Sequence, residues 1–167
     1  MNSKDTDRLV EALASNWQAE MRGYHTYNTL SQQEPEPHRR RVLRGLALAE
    51  KHHADLWAMR LTSLSVPIPA YDGSESGEAG TLANRIGGQG LALRRLELDE
   101  SRDIAHYGKH LQELGDPGST AILKQVLEDE RDHYTTLGNL IRHHLPQTKL
   151  EPAQAKAALD QIGRAHV

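Results

Sequence analysis

Apolar and aromatic residues in the first part of the chain recur at intervals of three and four positions, the spacing of one face of an α-helix. Between about Asp5 and Gln33 they are Leu9, Leu13, Trp17, Tyr24, Tyr27 and Leu30. Between about His38 and Ser63 they are Leu43, Leu46, Ala47, Trp57 and Leu61. Most of the intervening positions are polar or charged, so the pattern predicts two amphipathic helices, each with one buried face.

Proline and glycine clusters separate the predicted helices. Residues 34–37 read EPEP and end the first helix, because proline cannot continue a helix and disfavours helical geometry in the residue before it. Residues 65–80 read SVPIPAYDGSESGEAG, a composition typical of a loop. Residues 115–119, GDPGS, form a tight break, and Pro146 ends another helical segment. These interruptions divide the chain into five helical segments.

Three further helices are predicted after the long loop. They run from Leu82 or Ile86 to Leu114, from about Ser119 to His144 and, as a short fifth helix, from about Glu151 to Ile162. Pro152 near the start of the fifth segment and Gly163 after its end suit helix termini. We expect residues 1–146 to form one bundle domain and residues 147–167 a short C-terminal helix and tail.

The connections between the first four predicted helices are short, long and short. Short connections join antiparallel helices into hairpins, and the long connection can run back along a bundle. Two helical hairpins joined by one long crossover is the connectivity of ferritin-like bundles. The sequence therefore predicts an all-α, ferritin-like antiparallel four-helix bundle with a short C-terminal fifth helix. Any other four-helix bundle remains an alternative at this point.

Two Glu-x-x-His pairs lie on the second and fourth predicted helices, at Glu50/His53 and Glu130/His133. The motif alone is weak evidence, because thirteen Glu and ten His in 167 residues give roughly one occurrence by chance. The interval is stronger evidence, since 80 residues separate both the two glutamates and the two histidines. Such an interval indicates an internal repeat of a helical hairpin.

The same 80-residue offset aligns further positions of the first and third predicted helices. Glu20 aligns with Glu100, and Tyr27 aligns with Tyr107. The first two helices therefore look like a copy of the third and fourth. The agreement between the copies is best where the residues are polar.

Four of the repeated glutamates fall within the apolar stripes of their helices: Glu20, Glu50, Glu100 and Glu130. A buried, unpaired carboxylate costs several kcal/mol or takes up a proton, and four together repel one another. Two divalent cations would neutralise them, and His53 and His133 would add a neutral imidazole ligand each. Chance acids on solvated faces are the alternative, which does not explain why polar residues follow the repeat.

Composition restricts the chemistry of such a site. The chain contains no cysteine, which excludes disulfides, thiolate zinc sites and cysteine-ligated iron–sulfur clusters. A net charge of −3 offers no basic footprint for nucleic acid. No apolar run approaches the roughly 18 residues of a membrane span. The first ten residues, MNSKDTDRLV, lack the apolar region of a signal peptide. We therefore expect a cytoplasmic protein that does not itself insert into a membrane.

One glutamate from each of two helices and one Glu-x-x-His from each of the other two is the ligand pattern of ferritin-like di-metal carboxylate proteins. The chain resembles that superfamily, and rubrerythrin-type domains most closely, through NWQAEMRGYHTY, LALAEKHHADLW, LRRLELDESRDIAHY and VLEDERDHYTTL. The likeness spans roughly residues 8–142. The chain looks especially like the ferritin-like domain that lies N-terminal to the membrane part of some vacuolar-iron-transporter-family proteins.

The resemblance implies a set of metal-binding and catalytic residues: Glu20, Glu50, His53, Glu100, Glu130 and His133. Rubrerythrins use an additional glutamate on the third helix, which Glu97 matches, although Glu97 also fits a surface position. Two features depart from the family pattern. Rubrerythrin proper carries a rubredoxin part with four cysteines, which this chain lacks, and the transporter relatives have membrane helices, which it also lacks.

Several neighbouring residues have two interpretations each. Tyr27 and Tyr107 follow their glutamates by two helical turns and are expected to hydrogen-bond ligand carboxylates, with ordinary core packing as the alternative. For Trp17 and Trp57 we expect core packing rather than radical quenching. His25, His52 and His106 are expected to face away from the site. We interpret Asp103/His106 as a chance acid-x-x-His spacing and residues 142–144, RHH, as a solvated helix end.

The oxygen-rich ligand set with two imidazoles suits two Fe ions, with Mn or Zn as possible substitutes. The hypothesis is a ferroxidase or peroxide-reducing diiron oxidoreductase in iron homeostasis or oxidative-stress defence. Glu50 and Glu130 would bridge the metals, and Glu20 and Glu100 would be terminal ligands. Alternatives are an iron-binding, sensing or delivery module for a transporter, a manganese-catalase-like protein and a metal-free scaffold. The resemblance also implies a homodimer.

Overall fold

The computed structural model describes residues 3–73, 102 and 115–144 of the chain. Its regular elements are three α-helices: α1 (Ser3–Gln33), α2 (Pro37–Ser63) and α3 (Pro117–His144). Within these described ranges no strand occurs. The all-α prediction is confirmed there, and the three helices lie within two residues of the first, second and fourth predicted segments. The predicted third and fifth helices, and with them the four-helix count and residues 147–167, lie outside the described residues.

The short turn between α1 and α2 is fixed by two glutamates of the EPEP segment. Glu36 caps α2, and its carboxylate accepts hydrogen bonds from the backbone N–H groups of His38 at 2.8 Å and Arg39 at 2.7 Å. These two backbone hydrogen bonds lower the pKa of the Glu36 carboxyl. Glu34 is buried, and its Oε1 accepts from the Arg39 guanidinium at 2.9 Å and from the Glu36 N–H at 2.8 Å. The proline-rich turn therefore closes a helical hairpin with most of its polar groups bonded.

The end of α2 is tied to the start of α3. The Arg60 guanidinium donates to both carboxylate oxygens of Asp116 at 2.8 Å, and Asp116 accepts from the Ser119 backbone N–H at 2.8 Å as the cap of α3. Burial acts to raise the pKa of the Asp116 carboxyl, but the hydrogen bonds from Ser119 and Arg60 outweigh it and lower that pKa. Because the C-terminal end of α2 meets the N-terminal end of α3, the two helices run antiparallel.

The segment that follows α2 turns back along α1. The Gln18 side chain donates to the carbonyl oxygen of Ala70 at 2.8 Å and accepts from the Asp72 N–H at 3.2 Å. The Tyr71 ring stacks on His25, with ring centroids 4.7 Å apart. Residues 66–73 thus travel from the α2 terminus towards the far end of α1. That course is the one expected for the start of the long crossover in a ferritin-like bundle.

Among the described residues the core consists of two apolar clusters separated along the helix axes. The first cluster contains Tyr27, Leu30, Leu43, Leu46, Ala47, Leu137, Leu140 and Ile141. The second contains Leu9, Leu13, Trp17, Ala54, Trp57, Leu61, Leu123, Val126 and Leu127. The predicted apolar stripes of the first two helices are thereby confirmed, with Tyr24 half-buried beside the first cluster. Among the described helices none is long and apolar enough to cross a membrane.

Candidate metal centre

A layer of polar side chains lies between the two apolar clusters. α1 contributes Glu20, α2 contributes Glu50 and His53, and α3 contributes Glu130 and His133. We call these five residues the polar layer. All five are buried, and His53 is only 1% exposed. In each helix the polar residues follow the same three- and four-residue spacing as the apolar stripe, so the folding of the stripe into the core carries them inward.

Four members of the polar layer are close enough together to share metal ions. Glu20, Glu50, His53 and Glu130 each offer one ligand atom, and these atoms all lie within 4.8 Å of one another. The residues come from three different helices and are brought together only by tertiary packing. The structure therefore brings Glu20, Glu50, His53 and Glu130 together, and their role as metal ligands stays a prediction.

The Nδ1 atom of His53 faces the polar layer. It lies 3.2 Å from Glu130 Oε1 and 3.4 Å from Glu20 Oε2. The opposite ring nitrogen, Nε2, lies 3.1 Å from Asp129 Oδ2 at the partly exposed edge of the site. A carboxylate behind a ligand imidazole fixes its tautomer and its orientation, which leaves the other nitrogen for a metal.

The Nδ1 atom of His133 also faces the polar layer. It lies 3.1 Å from Glu50 Oε1 and 3.4 Å from Glu130 Oε2. The two imidazole rings are stacked, with centroids 5.5 Å apart. One oxygen of Glu130 therefore approaches His53 and the other approaches His133. That position suits a carboxylate that bridges two metal ions with one histidine on each.

The geometry and the chemistry of the layer fit a pair of divalent cations. The Nδ1 atoms of His53 and His133 are buried and form no hydrogen bond of normal geometry among the described residues. Each instead points at two carboxylates. Three carboxylates with two imidazoles form an oxygen-rich set of the kind that iron and manganese occupy in proteins. Buried nitrogens directed between carboxylate oxygens are what metal ligands look like before a cation is added.

The negative charge of the polar layer changes the pKa of His53. Burial acts to lower the pKa of its imidazole, but the nearby carboxylates of Glu130 and Glu20 outweigh burial and raise that pKa to about 10. In the metal-free protein the protonated imidazole thus offsets part of the negative charge of the layer. A metal ion bound at His53 would take over that role from the proton.

Trp57 contacts the site as well as the core. It is completely buried in the second apolar cluster, so the prediction of core packing is confirmed. Its indole N–H also donates to Glu20 Oε1 at 3.4 Å, which sequence reasoning missed. The sequence signal that could have predicted this contact is the position of Trp57 four residues after His53, on the same face of α2. Trp17 packs in the same cluster.

Other predicted site residues have mixed outcomes. Tyr27 is buried in the first apolar cluster, and its hydrogen bond to a ligand carboxylate stays a prediction. His52 is exposed, as predicted, and His25 packs on Tyr71 away from the polar layer. Arg142 is exposed and donates to Asn139, which agrees with a solvated helix end. The remaining positions lie outside the described residues: Glu97, Glu100, Asp103, His106, Tyr107 and the side chains of His143 and His144.

We expect Asp129→Asn to weaken metal binding about 10- to 100-fold, the usual effect of removing a partner that orients a ligand histidine. The substitution removes the charge that lies 3.1 Å from His53 Nε2 while keeping the size of the side chain. Equilibrium dialysis with Fe²⁺ under anaerobic conditions measures the change. The exposed Asp132, three residues further along α3, supplies the matched control Asp132→Asn. Equal affinities for the two variants would contradict an orienting role for Asp129.

A buried carboxylate and imidazole layer inside a helical bundle defines a candidate di-metal carboxylate protein of ferritin-like type. The model of the rubrerythrin family matches residues 11–141, a range that includes all of α2 and most of α1 and α3. The chain belongs to the rubrerythrin family. No curated protein and no solved structure matches the chain. The narrower likeness to transporter-family domains receives no support from these comparisons and stays a prediction.

Proposed function

We propose that the protein binds two Fe²⁺ ions in the polar layer and oxidises them with dioxygen or peroxide. The observation that carries this proposal is the buried group of Glu20, Glu50, His53 and Glu130, with ligand atoms within 4.8 Å of one another and His133 beside it. Rubrerythrin-family membership supports a diiron site in this position. The reaction class is that of a ferroxidase or a peroxide-reducing diiron oxidoreductase.

In this proposal the ligands divide between two metal positions. Glu130 would be a ligand at both positions, which is supported by the approach of its two oxygens to different histidines. Glu20 and His53 would hold one position, which is supported by the 3.4 Å distance between Glu20 Oε2 and His53 Nδ1. His133 would hold the other position, and Glu50 would be the second ligand shared by both.

The repeat extends the proposed ligand set beyond the described residues. Glu100, 80 residues after Glu20, is proposed as the terminal ligand at the His133 position. Glu97 is an additional candidate one turn before it. The proposed hydrogen-bonding tyrosines are Tyr27 and its repeat equivalent Tyr107.

Two bound iron ions would supply the redox chemistry, one electron from each. The residues of the chain would hold the ions and shield them from water. Three buried carboxylates would stabilise the added positive charge, and the His53 imidazole would give up its proton to coordinate. The apolar clusters on both sides keep bulk water away, which strengthens the electrostatic interactions within the layer. The sequence contains no cysteine, so these residues cannot hold a thiolate-bound iron centre as an electron donor. The electrons for repeated turnover would have to come from another donor.

The cellular setting in this proposal comes from the sequence and from the family resemblance. We place the protein in the cytoplasm as a homodimer that acts in iron homeostasis or in defence against oxidative stress. Its partners would be Fe²⁺ and dioxygen or peroxide, without nucleic acid. A membrane transporter that receives iron from it is the partner in the alternative function.

The alternative function uses the same residues for binding without turnover. A delivery or sensing module also needs a buried site of carboxylates and imidazoles, and the polar layer meets that need. The difference lies in what happens after oxidation. An enzyme releases the product and continues, whereas a carrier stops after its bound metal has reacted.

An anaerobic Fe²⁺ titration followed by exposure to air tests the proposal. We expect saturation near two irons per chain and then a rapid rise in near-ultraviolet absorbance that continues when more Fe²⁺ is added. Stoichiometric binding followed by a single, non-repeating oxidation would favour the carrier. Rapid release of dioxygen from added peroxide by the manganese-loaded protein would favour the catalase-like alternative. An absence of stoichiometric binding would contradict every di-metal function.

A further inference from the structure

Gly23 lies on α1, three residues after Glu20, at the point where α1 passes the carboxylate of Glu50. A β-carbon built on Gly23 would overlap Glu50 Oε2 and would lie 3.0 Å from its Cδ and 3.2 Å from its Cγ. Real β-carbons essentially never approach another atom as closely as this one would approach Oε2, and the distances to Cδ and Cγ are tighter than in most real contacts. The Glu50 side chain therefore occupies space that any residue other than glycine would fill at position 23.

The other oxygen of Glu50 shows what this space is used for. Glu50 Oε1 lies 3.1 Å from His133 Nδ1, while Oε2 faces the α1 backbone at Gly23. The carboxylate is thus placed between a helix backbone and a ligand imidazole. A small displacement away from α1 would change its distance to His133, and a metal ligand must keep its position to within a fraction of an ångström.

Glycine is a poor residue for the interior of a helix, because it loses more backbone entropy on folding than alanine does. α1 has 31 residues, and Gly23 lies well inside it. Gly45 on α2 has a different environment, since it is exposed and a β-carbon there would have nothing within 4 Å. The contact with Glu50 therefore gives a structural reason for the entropic cost of a glycine at position 23. No such contact exists at Gly45.

We propose that Gly23 is a positioning residue of the metal centre, which acts by giving the Glu50 carboxylate room against the α1 backbone. This inference rests on the proposed function of the polar layer in binding metal. The atoms that a new β-carbon would meet belong to the end of a flexible side chain. Gly23→Ala is therefore expected to leave the helices folded and to move Glu50 instead, so its effect falls on metal binding.

The test compares Gly23→Ala with the matched control Gly45→Ala by anaerobic Fe²⁺ titration and by circular dichroism. We expect both variants to keep the helix content of the wild type. We expect Gly45→Ala to bind iron as the wild type does and Gly23→Ala to bind it about 10- to 100-fold more weakly, the range for residues that orient metal ligands. Wild-type affinity in Gly23→Ala would overturn the inference.

Thermal melting of the metal-free protein in a Glu50→Ala background gives a second readout that ordinary helix packing would not move. With the carboxylate removed, the methyl group of Gly23→Ala has room. The double variant should therefore melt at a higher temperature than Glu50→Ala alone, just as Gly45→Ala should melt at a higher temperature than the wild type. If Gly23→Ala alone loses helix content, recovery of that content in the double variant supports the contact with Glu50. A midpoint lowered equally in both backgrounds, or a double variant that stays unfolded, overturns the inference.

Failure of the proposed function is distinguishable from failure of this inference. A wild-type protein that binds no Fe²⁺ overturns both, because no metal ligand then needs positioning. A wild-type protein that binds about two irons per chain, together with an unaffected Gly23→Ala, overturns only the role of Gly23.

Discussion

Glu130→Ala is expected to abolish the paired binding of iron and the rapid oxidation that depends on it. Glu130 Oε1 lies 3.2 Å from His53 Nδ1, and Glu130 Oε2 lies 3.4 Å from His133 Nδ1. In the proposed site, both metal positions would therefore lose a ligand when this one side chain is removed. We expect affinity to fall by more than about 100-fold, beyond the usual effect of residues that only orient ligands. An anaerobic Fe²⁺ titration followed by stopped-flow exposure to oxygen measures both quantities.

Glu128→Ala is the matched control for that substitution. Glu128 lies two residues earlier on α3 and is exposed, so its removal changes the helix charge equally without touching the polar layer. We expect wild-type binding and wild-type oxidation in this variant, and wild-type helix content in both. Retention of two irons per chain by Glu130→Ala would contradict the assignment of Glu130 as a bridge.

The described helices could be predicted closely from sequence because their boundaries depend on local chemistry. The proline-rich segment 34–37 ends α1, and the GDPGS segment precedes α3. The structure shows the reasons in detail. Glu36 and Asp116 cap the helices that follow them, and these contacts span only two or three residues. Interactions between residues so close in sequence can be predicted from the local sequence, without knowledge of how the helices pack.

The polar layer was accessible to sequence reasoning through the 80-residue offset. Helical periodicity places Glu20, Glu50, His53, Glu130 and His133 on apolar faces, and the faces must meet in the core. Periodicity gives the direction of a side chain but not its contacts across helices. Which imidazole nitrogen faces the carboxylates therefore had to come from the structure.

Three contacts of the layer were missed because each joins two helices: Asp129 to His53, Trp57 to Glu20, and Gly23 to Glu50. All three also break the repeat. The residue 80 positions after Trp57 is Leu137, whose side chain has no N–H to donate. The residue 80 positions before Asp129 is Ala49, and the residue 80 positions after Gly23 is Asp103. Comparison at the 80-residue offset therefore identifies the candidate ligands that the two repeated hairpins share. It cannot identify residues that are present in only one of the two hairpins. His53 has a carboxylate behind its ring, and the repeat supplies none at position 49 for His133.

Metal binding is expected to strengthen by about tenfold for each unit of rising pH through the titration of His53 alone. Burial acts to lower the pKa of this imidazole, but Glu130 and Glu20 raise it to about 10, so the metal-free protein holds a proton there at neutral pH. A metal ligand must be the neutral imidazole. Each metal ion bound at His53 therefore displaces one proton. Between about pH 6 and about pH 8 the apparent affinity should rise roughly 100-fold.

The stability of the metal-free protein should change with pH in the opposite direction. The pKa of His53 is higher in the folded state, at about 10, than the ordinary value of 6.5 that applies to the unfolded chain. Protonation of His53 therefore favours the folded state. Its contribution is fully present below pH 6.5, declines as the pH rises from 6.5 towards about 10, and is lost above that value. The loaded protein does not share this loss, because the metal ion replaces the proton.

The difference between the melting midpoints of loaded and metal-free protein should consequently widen as the pH rises. Melting followed by circular dichroism from about pH 6 to about pH 8.5, with Mn²⁺ as a probe that air does not readily oxidise in this range, measures that difference. Calorimetry in buffers of different ionisation enthalpy counts the protons released on binding. His52→Gln is the control, since His52 is the exposed neighbour of His53 and should leave both results unchanged. Parallel midpoints across the range, with no proton released, would show that His53 is already neutral in the metal-free site. The carboxylates would then have to carry their charge without that proton, and the electrostatic reason for a cation in the layer would be stronger still.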